Sequence, residues 1–276
     1  MSELTLASDP EDATALQSAA AHHARLAGEL SGRVKMLLTA VARNPSAAEK
    51  IHAGLVAFCD RSLLPHAAAE EAALYPAAHR MPEACLLIES LIGEHRCLTT
   101  LVDALRDAPT PADAAADARA LQVLFEEHTA KENGLVLPLL AMTPDVRLAE
   151  LLTDMHQRLA NDASTQGATH NQHHEEGHDM DERQNQETGG CGGVCGCGGE
   201  EENEPQLDVR DVPHAIRHAT VFGALDAVPA GTAMVLVAPH DPLPLLAQIE
   251  QRSPGVFSVQ YLERGPEAWR LRLSHR

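Results

Sequence analysis

The chain has 276 residues, of which 44% are hydrophobic and only 3% aromatic, and its formal net charge is −19 at pH 7. This much apolar sequence supports a packed core, whereas the negative charge argues against a nucleic acid or an anionic membrane surface as a partner. No apolar run approaches the ~18 residues of a membrane span and the acidic start lacks signal-peptide features, so we expect a soluble cytoplasmic protein with reduced cysteines.

Four long helical segments precede residue 160, and each is followed by a turn that contains proline. They run from about Asp12 to Arg43, from Ser46 to Arg80, from Pro82 to Asp107, and from the turn at 108–111 to Met142; a short fifth helix follows at Asp145 to Leu159. Long helices joined by short turns imply antiparallel neighbours. The sequence therefore predicts an all-α four-helix bundle over residues 1–160.

Residues 161–206 are rich in Gln, Asn, His, Glu and Gly, a composition that cannot bury enough apolar surface to fold. We expect a disordered linker there. Its histidines and cysteines form either a functional metal site or a polar tether with adventitious metal affinity: His170, His173, His174, His178, Cys191, Cys195 and Cys197. The other cysteines, Cys59, Cys85 and Cys97, occupy apolar helix positions and are predicted to be core residues.

Residues 207–276 follow the pattern β-α-β-α-β-β, which predicts a small two-layer α+β domain that folds separately from the bundle. His214 and His218 begin its first helix, and His240 and Asp241 follow its second strand. Because the carboxyl ends of parallel strands share one edge of a sheet, these four residues are candidates for a second metal or small-ligand site. The alternative is a set of histidines that never meet.

Two segments of the bundle repeat each other. His66 precedes Glu70 by four residues, His128 precedes Glu132 in the same way, and a Leu-Pro or Leu-Tyr-Pro element follows each pair. Residues four apart on a helix share one face. The first and third helices repeat more weakly, with His22-His23 and His95 shortly before a leucine.

Four histidines and two glutamates around one bundle axis predict a dinuclear metal set. This mixture of nitrogen and oxygen donors suits iron, manganese or zinc better than calcium or magnesium, which prefer oxygen alone. Two glutamates cancel half the charge of two divalent ions, so a bridging oxide or hydroxide would fit the remainder.

With these motifs, residues 12–158 resemble the hemerythrin-like, or HHE cation-binding, family. The resemblance implies a non-haem centre of two iron ions bridged by the glutamates. Carried over residue by residue, it implies these metal ligands: His23, His66, Glu70, His95, His128 and Glu132. His23 is preferred to His22 because it aligns with His95. Thr99 stands where hemerythrins carry another histidine, which favours an open position on one iron over reversible oxygen carriage.

Residues 207–276 resemble the DUF2249 family and, more distantly, the TusA/SirA sulfur-carrier fold. The resemblance rests on the segments at 207–210, 236–242 and 261–266. His214 and Ala215 stand where the sulfur carriers have a cysteine-proline pair, so persulfide transfer by this domain is not expected.

The sequence thus predicts a non-haem di-iron protein that binds or senses a small diatomic or reactive species, such as oxygen, nitric oxide or peroxide. The C-terminal domain would serve as an output module or as a module that docks a protein partner. Two alternatives stay open, a protein that buffers or delivers iron or other metals and an oxidoreductase that consumes peroxide. Whether the chain is an enzyme is left open, because no catalytic nucleophile or cofactor fold is evident.

Overall fold

A computed structural model describes residues 7, 9–43, 45–169 and 204–276. The predicted metal-binding residues of the linker, from His170 to Cys197, lie outside the described residues. None of the described helices combines the length and the apolarity needed to cross a lipid bilayer.

The N-terminal region is helical, as predicted. Its helices are α1 (Pro10–Arg43), α2 (Pro45–Phe58), α3 (Leu64–Ala73), α4 (Tyr75–His79), α5 (Cys85–Arg106), α6 (Pro111–Lys131), α7 (Leu137–Met142) and α8 (Leu148–Thr169). Two π-helical turns, Cys59–Leu63 and Glu132–Val136, join α2 to α3 and α6 to α7. The bundle therefore has four arms, namely α1, α2–α4, α5 and α6–α7. The helix that follows them extends to Thr169, beyond the expected end at Leu159.

A polar layer divides the apolar core of the bundle into two parts. One part includes Leu30, Leu55, Val102 and Phe125, and it continues into the C-terminal domain. The other includes Leu16, Tyr75, Ile88 and Leu140. Along each arm, the histidines and glutamates that the sequence singles out lie between these two parts, in the middle of the bundle.

The C-terminal domain has the predicted β-α-β-α-β-β order. Its elements are β1 (Gln206–Asp208), α9 (His214–Asp226), β2 (Ala233–Ala238), α10 (Leu243–Arg252), β3 (Phe257–Arg264) and β4 (Trp269–His275). The strand order is β1-β2-β4-β3. Leu207 pairs with Leu236 in the parallel β1–β2 ladder, and β4 is antiparallel to both its neighbours. The all-α bundle followed by a small α+β domain is therefore confirmed.

The small domain packs directly on the bundle through α9 and α1. A Cβ atom at Gly32 would lie 2.1 Å from the carbonyl oxygen of Thr220, and one at Gly223 would lie 2.2 Å from the carbonyl oxygen of Glu29. Real Cβ atoms never approach backbone this closely, so the two helices touch backbone to backbone at positions where only glycine fits.

Charge and apolar packing extend this interface. Arg33 of α1 donates to Asp226 Oδ2 at 2.9 Å, and Arg252 donates to the same oxygen at 2.9 Å. Residues of both regions belong to one continuous hydrophobic core, which includes Val34 of α1 and Val221 of α9. The glycines of α1 thus allow a docking surface that composition alone does not reveal. That the two regions fold separately stays a prediction.

Candidate metal centre

Six buried side chains meet in the polar layer of the bundle. α1 supplies one histidine, α3 a histidine and a glutamate, α5 a histidine, and the end of α6 with its π-helical turn another histidine and glutamate. None is more than 4% exposed to solvent. These are the six side chains that the sequence proposes as ligands, namely His23, His66, Glu70, His95, His128 and Glu132.

The six side chains form two groups that can each hold a metal ion, and both groups include Glu70. In the first group, Glu70 Oε1 lies 3.1 Å from His23 Nε2 and 3.0 Å from His66 Nε2. In the second, Glu70 Oε2 lies 3.6 Å from His95 Nε2. Each oxygen of this carboxylate thus faces a different group, as expected of a bridging ligand.

Glu132 also connects the two groups. Its Oε2 atom lies 3.5 Å from His128 Nε2 in the second group and 3.8 Å from His23 Nε2 in the first. Its Oε1 atom accepts a hydrogen bond from the Tyr75 hydroxyl at 2.7 Å. Both glutamates therefore lie between two sets of imidazoles.

Outer polar groups fix the orientation of three of the histidines. His95 Nδ1 lies 2.8 Å from Glu71 Oε1, His128 Nδ1 lies 3.0 Å from Glu94 Oε2, and His23 Nδ1 lies 2.8 Å from Asn133 Oδ1. These oxygens only accept, so each Nδ1 carries the proton and each Nε2 faces the cluster. Such second partners are typical of histidines that bind metal through the other nitrogen.

The pair formed by His95 and His128 requires a cation. Their Nε2 atoms are 2.9 Å apart. Since both Nδ1 atoms donate to carboxylates, neutral rings would direct two lone pairs at each other at this distance. A proton on one nitrogen or a metal ion beside both removes the repulsion.

Several buried polar atoms of the cluster have no hydrogen-bond partner among the described residues. They include Glu70 Oε2, Glu132 Oε2 and both ring nitrogens of His66, whose Nε2 atom lies 3.0 Å from Glu70 Oε1 without the geometry of a hydrogen bond. Unsatisfied polar atoms of this kind are costly in a protein interior. Metal coordination satisfies such atoms, so the donor set fits the metal that the sequence predicts.

The pKa values of His23 and Glu70 indicate that positive charge stabilises the cluster. Burial lowers the pKa of His23, but the hydrogen bond and the charge of Glu70 outweigh burial and raise it to about 9. Burial raises the pKa of Glu70, yet the neighbouring His66 and the other histidines hold it well below its usual range. Glu70 is therefore ionised at neutral pH, and without metal a proton on His23 supplies part of the compensating charge.

Tyr75 is a member of the site that the sequence does not reveal. Its ring is stacked on the ring of His95, with centroids 5.4 Å apart, and it is 2% exposed. Burial and the charge of Glu132 raise the pKa of its hydroxyl far above the ordinary value. The Tyr75 hydroxyl therefore stays protonated and donates a hydrogen bond to Glu132.

His22 and Thr99 both stay outside the two groups. The His22 ring lies 4.9 Å from the His66 ring, but its Nδ1 atom lies 3.1 Å from an Arg25 nitrogen. Burial and the neighbouring His66 lower the pKa of His22 to about 3, so it is neutral. Thr99 is exposed and its hydroxyl donates to the carbonyl oxygen of His95. It therefore does not replace the histidine of the hemerythrin pattern.

The second site proposed from the sequence stays a prediction. His214 and His240 follow the ends of two adjacent parallel strands as expected, but no metal-capable group among the described residues contains His214, His218, His240 or Asp241. His218 Nδ1 lies 3.2 Å from Gln248 Oε1, and Asp241 accepts from the Tyr261 hydroxyl at 2.9 Å. His218 and Asp241 therefore each have a polar partner on another element of the domain.

Removing the outer carboxylates should weaken metal binding without abolishing it. We expect Glu71→Ala and Glu94→Ala each to reduce metal affinity by about 10–100-fold, because the partnered imidazole loses its fixed orientation and part of its basicity. Competition with a chelator measures this change. Glu127→Ala removes an exposed carboxylate from α6 and should leave the affinity unchanged. Equal affinities for all three variants would contradict a role for Glu71 and Glu94.

Comparison with known proteins gives matches to two family models. Residues 14–140 match the model described as "Hemerythrin HHE cation binding domain". Residues 206–275 match the model described as "Uncharacterized conserved protein (DUF2249)". No curated protein and no solved structure matches the chain.

Proposed function

The chain contains a hemerythrin HHE cation-binding domain followed by a DUF2249 domain, and from this premise we propose that its buried cluster holds two iron ions and binds or senses a small diatomic or reactive species. Oxygen, nitric oxide and peroxide are the expected ligands. The observation that carries the proposal is the position of Glu70, whose two oxygens face different groups of imidazoles.

The donor set supports two ions rather than one. His23 and His66 would hold one ion, His95 and His128 the other, and Glu70 and Glu132 would lie between them. When bound, such an iron pair supplies a redox-active Lewis acid to which a small ligand can coordinate. Nitrogen and carboxylate donors in this mixture suit iron.

Charge around the cluster also supports the proposal. Two inner carboxylates provide two negative charges, and Glu71 and Glu94 provide two more through the imidazoles that they contact. Lys131 pairs with Glu94 and lies at the edge of this arrangement. With Lys131 counted, these groups carry a net charge of −3, which offsets most of the four positive charges of two divalent ions and favours their binding inside a bundle core.

Tyr75 is a hydrogen-bond donor within the cluster. Its hydroxyl donates to Glu132 Oε1, and its oxygen lies 3.4 Å from both His95 Nε2 and His128 Nε2. Buried and unable to ionise, it offers a fixed hydrogen bond rather than a negative charge.

Metal analysis combined with optical spectroscopy tests the proposed function. We expect about two iron ions per chain, from the two-group arrangement, and a charge-transfer spectrum that changes when azide or nitric oxide is added. One zinc ion per chain would contradict the di-iron proposal. An iron-loaded protein whose spectrum ignores both ligands, and which passes iron to an acceptor, would instead support metal buffering or delivery. Sustained loss of peroxide would support an oxidoreductase.

A further inference from the structure

A second group of potential metal ligands lies at the corner between α4 and α5. It consists of His79, Cys85 and Glu89, whose donor atoms all lie within 4.8 Å of one another. His79 Nε2 is 3.5 Å from Cys85 Sγ and 3.5 Å from Glu89 Oε1. The sequence predicts Cys85 as a core residue, but the structure leaves it only half-buried against His79.

The geometry of this trio distinguishes a cation site from a catalytic relay. In a nucleophile-base-carboxylate relay, the thiol and the carboxylate contact opposite nitrogens of the imidazole. Here both the thiol and the carboxylate face the same nitrogen, Nε2 of His79. Three different donors converging on one point resemble the coordination of a metal ion.

The backbone holds the three positions together without help from an ion. His79 is the last residue of α4, Cys85 is the first of α5, and Glu89 follows one turn later on the same face. Backbone hydrogen bonds of 3.0 Å from Ala84 N and Cys85 N to the carbonyl oxygen of Met81 close the turn between the helices. The site is therefore largely preorganised.

We propose that His79, Cys85 and Glu89 bind a divalent transition-metal ion of the zinc class. One nitrogen, one thiolate sulfur and one carboxylate oxygen are ligands that zinc accepts together, and three protein ligands leave a fourth tetrahedral position for water or another ligand. On binding, the Cys85 thiol releases its proton to solvent. The thiolate and the Glu89 carboxylate then neutralise both charges of the ion.

This site differs from the buried cluster in accessibility and composition. The side chains of His79 and Glu89 are 45% and 62% exposed, so an ion there exchanges with solution. It contains a thiol, whereas the buried cluster contains none. None of its residues belongs to that cluster, so the two proposals can be tested independently.

Cobalt titration of the iron-loaded full chain tests the site, because cobalt(II) bound to a thiolate gives a near-ultraviolet charge-transfer band. Serine replaces Cys191, Cys195 and Cys197 in the background, so that linker thiols do not contribute. We expect one cobalt ion with a thiolate band, and no band in Cys85→Ser. We expect His79→Ala and Glu89→Gln to weaken binding by about tenfold or more, since even the loss of an outer-shell partner costs this much.

Cys97→Ser is the matched control, because it removes an exposed thiol from the same helix. It should bind cobalt as the background protein does. An unchanged circular dichroism spectrum establishes that each variant is folded, and if Cys85→Ser fails this check, the cobalt affinity of His79→Ala decides the test. A thiolate band that persists in Cys85→Ser, affinity unchanged in His79→Ala, or no thiolate band in the background protein would overturn the proposal.

Discussion

Replacing Glu70 with alanine is expected to remove both metal ions from the bundle, whereas replacing His66 should remove only one. The reason is that Glu70 is common to both metal-capable groups and His66 belongs to one. Loss of the ions also removes their contribution to folding, which at metal concentrations 100 times the Kd is about 2.7 kcal/mol for each ion and about 5.4 kcal/mol for both. For a protein of this size, we expect Tm to fall by roughly 10–20 °C in Glu70→Ala.

Elemental analysis and calorimetry measure these two effects. The chelator-treated wild type provides the reference, because it should melt close to Glu70→Ala if the stability change comes from metal. His156→Ala is the control, since His156 is exposed on α8 and belongs to no metal-capable group among the described residues. A Glu70→Ala protein that retains two ions would contradict the bridging role of this residue.

Adding a single methyl group at Gly32 is expected to separate the small domain from the bundle. The new Cβ would lie 2.1 Å from the carbonyl oxygen of Thr220 and 2.6 Å from the backbone nitrogen of Ala224. Backbone atoms of a helix cannot move aside, so α9 must shift as a whole. We expect a destabilisation of about 1–3 kcal/mol from overpacking, although alanine favours helix over glycine by ~1 kcal/mol.

Trp269 in β4 makes this prediction easy to measure, because it is the only tryptophan of the chain. In urea, wild-type tryptophan fluorescence and helical circular dichroism should change together. In Gly32→Ala the fluorescence transition should move to lower urea than the helical one. Gly54→Ala is the matched control, since Gly54 is an exposed helical glycine with nothing within 4 Å of its added Cβ. Identical behaviour of the two variants would contradict the docking described here.

The sequence predicts the bundle and its polar layer well because both depend on local spacing. A histidine and a glutamate four residues apart face one direction on any helix, so the pairs His66–Glu70 and His128–Glu132 need little tertiary information. That these residues bind iron remains a prediction. The β-α-β-α-β-β order was equally predictable, because strands and helices alternate with clear breaks.

Contacts between helices could not be predicted from local spacing, because they depend on how far one helix slides and rotates against another. Glu71 and Glu94 are ordinary charged residues in the sequence, and only the packing of α3, α5 and α6 pairs them with His95 and His128. The same holds for Tyr75, which is read as part of an apolar Leu-Tyr-Pro element. The contact of His218 with Gln248 of α10 is likewise not evident from the sequence.

The glycines of α1 were missed for another reason. In a helix, glycine is first of all a weakness, since it costs backbone entropy. Gly28 and Gly32 therefore give no signal of an interface until a second helix is known to lie against them. The composition of the linker predicts two separately folded regions. The length of a linker, however, does not determine whether the two regions that it joins pack against each other.

α1 belongs at once to the metal cluster, through His23, and to the docking surface, through Gly28 and Gly32. The ten residues from His23 to Gly32 span about 14 Å of continuous helix. Equilibria that share an element are reciprocal: if bound metal changes the docking constant of the small domain by some factor, docking changes the metal affinity by the same factor. A fragment lacking residues 204–276 reports the affinity of the whole chain only when that factor equals one.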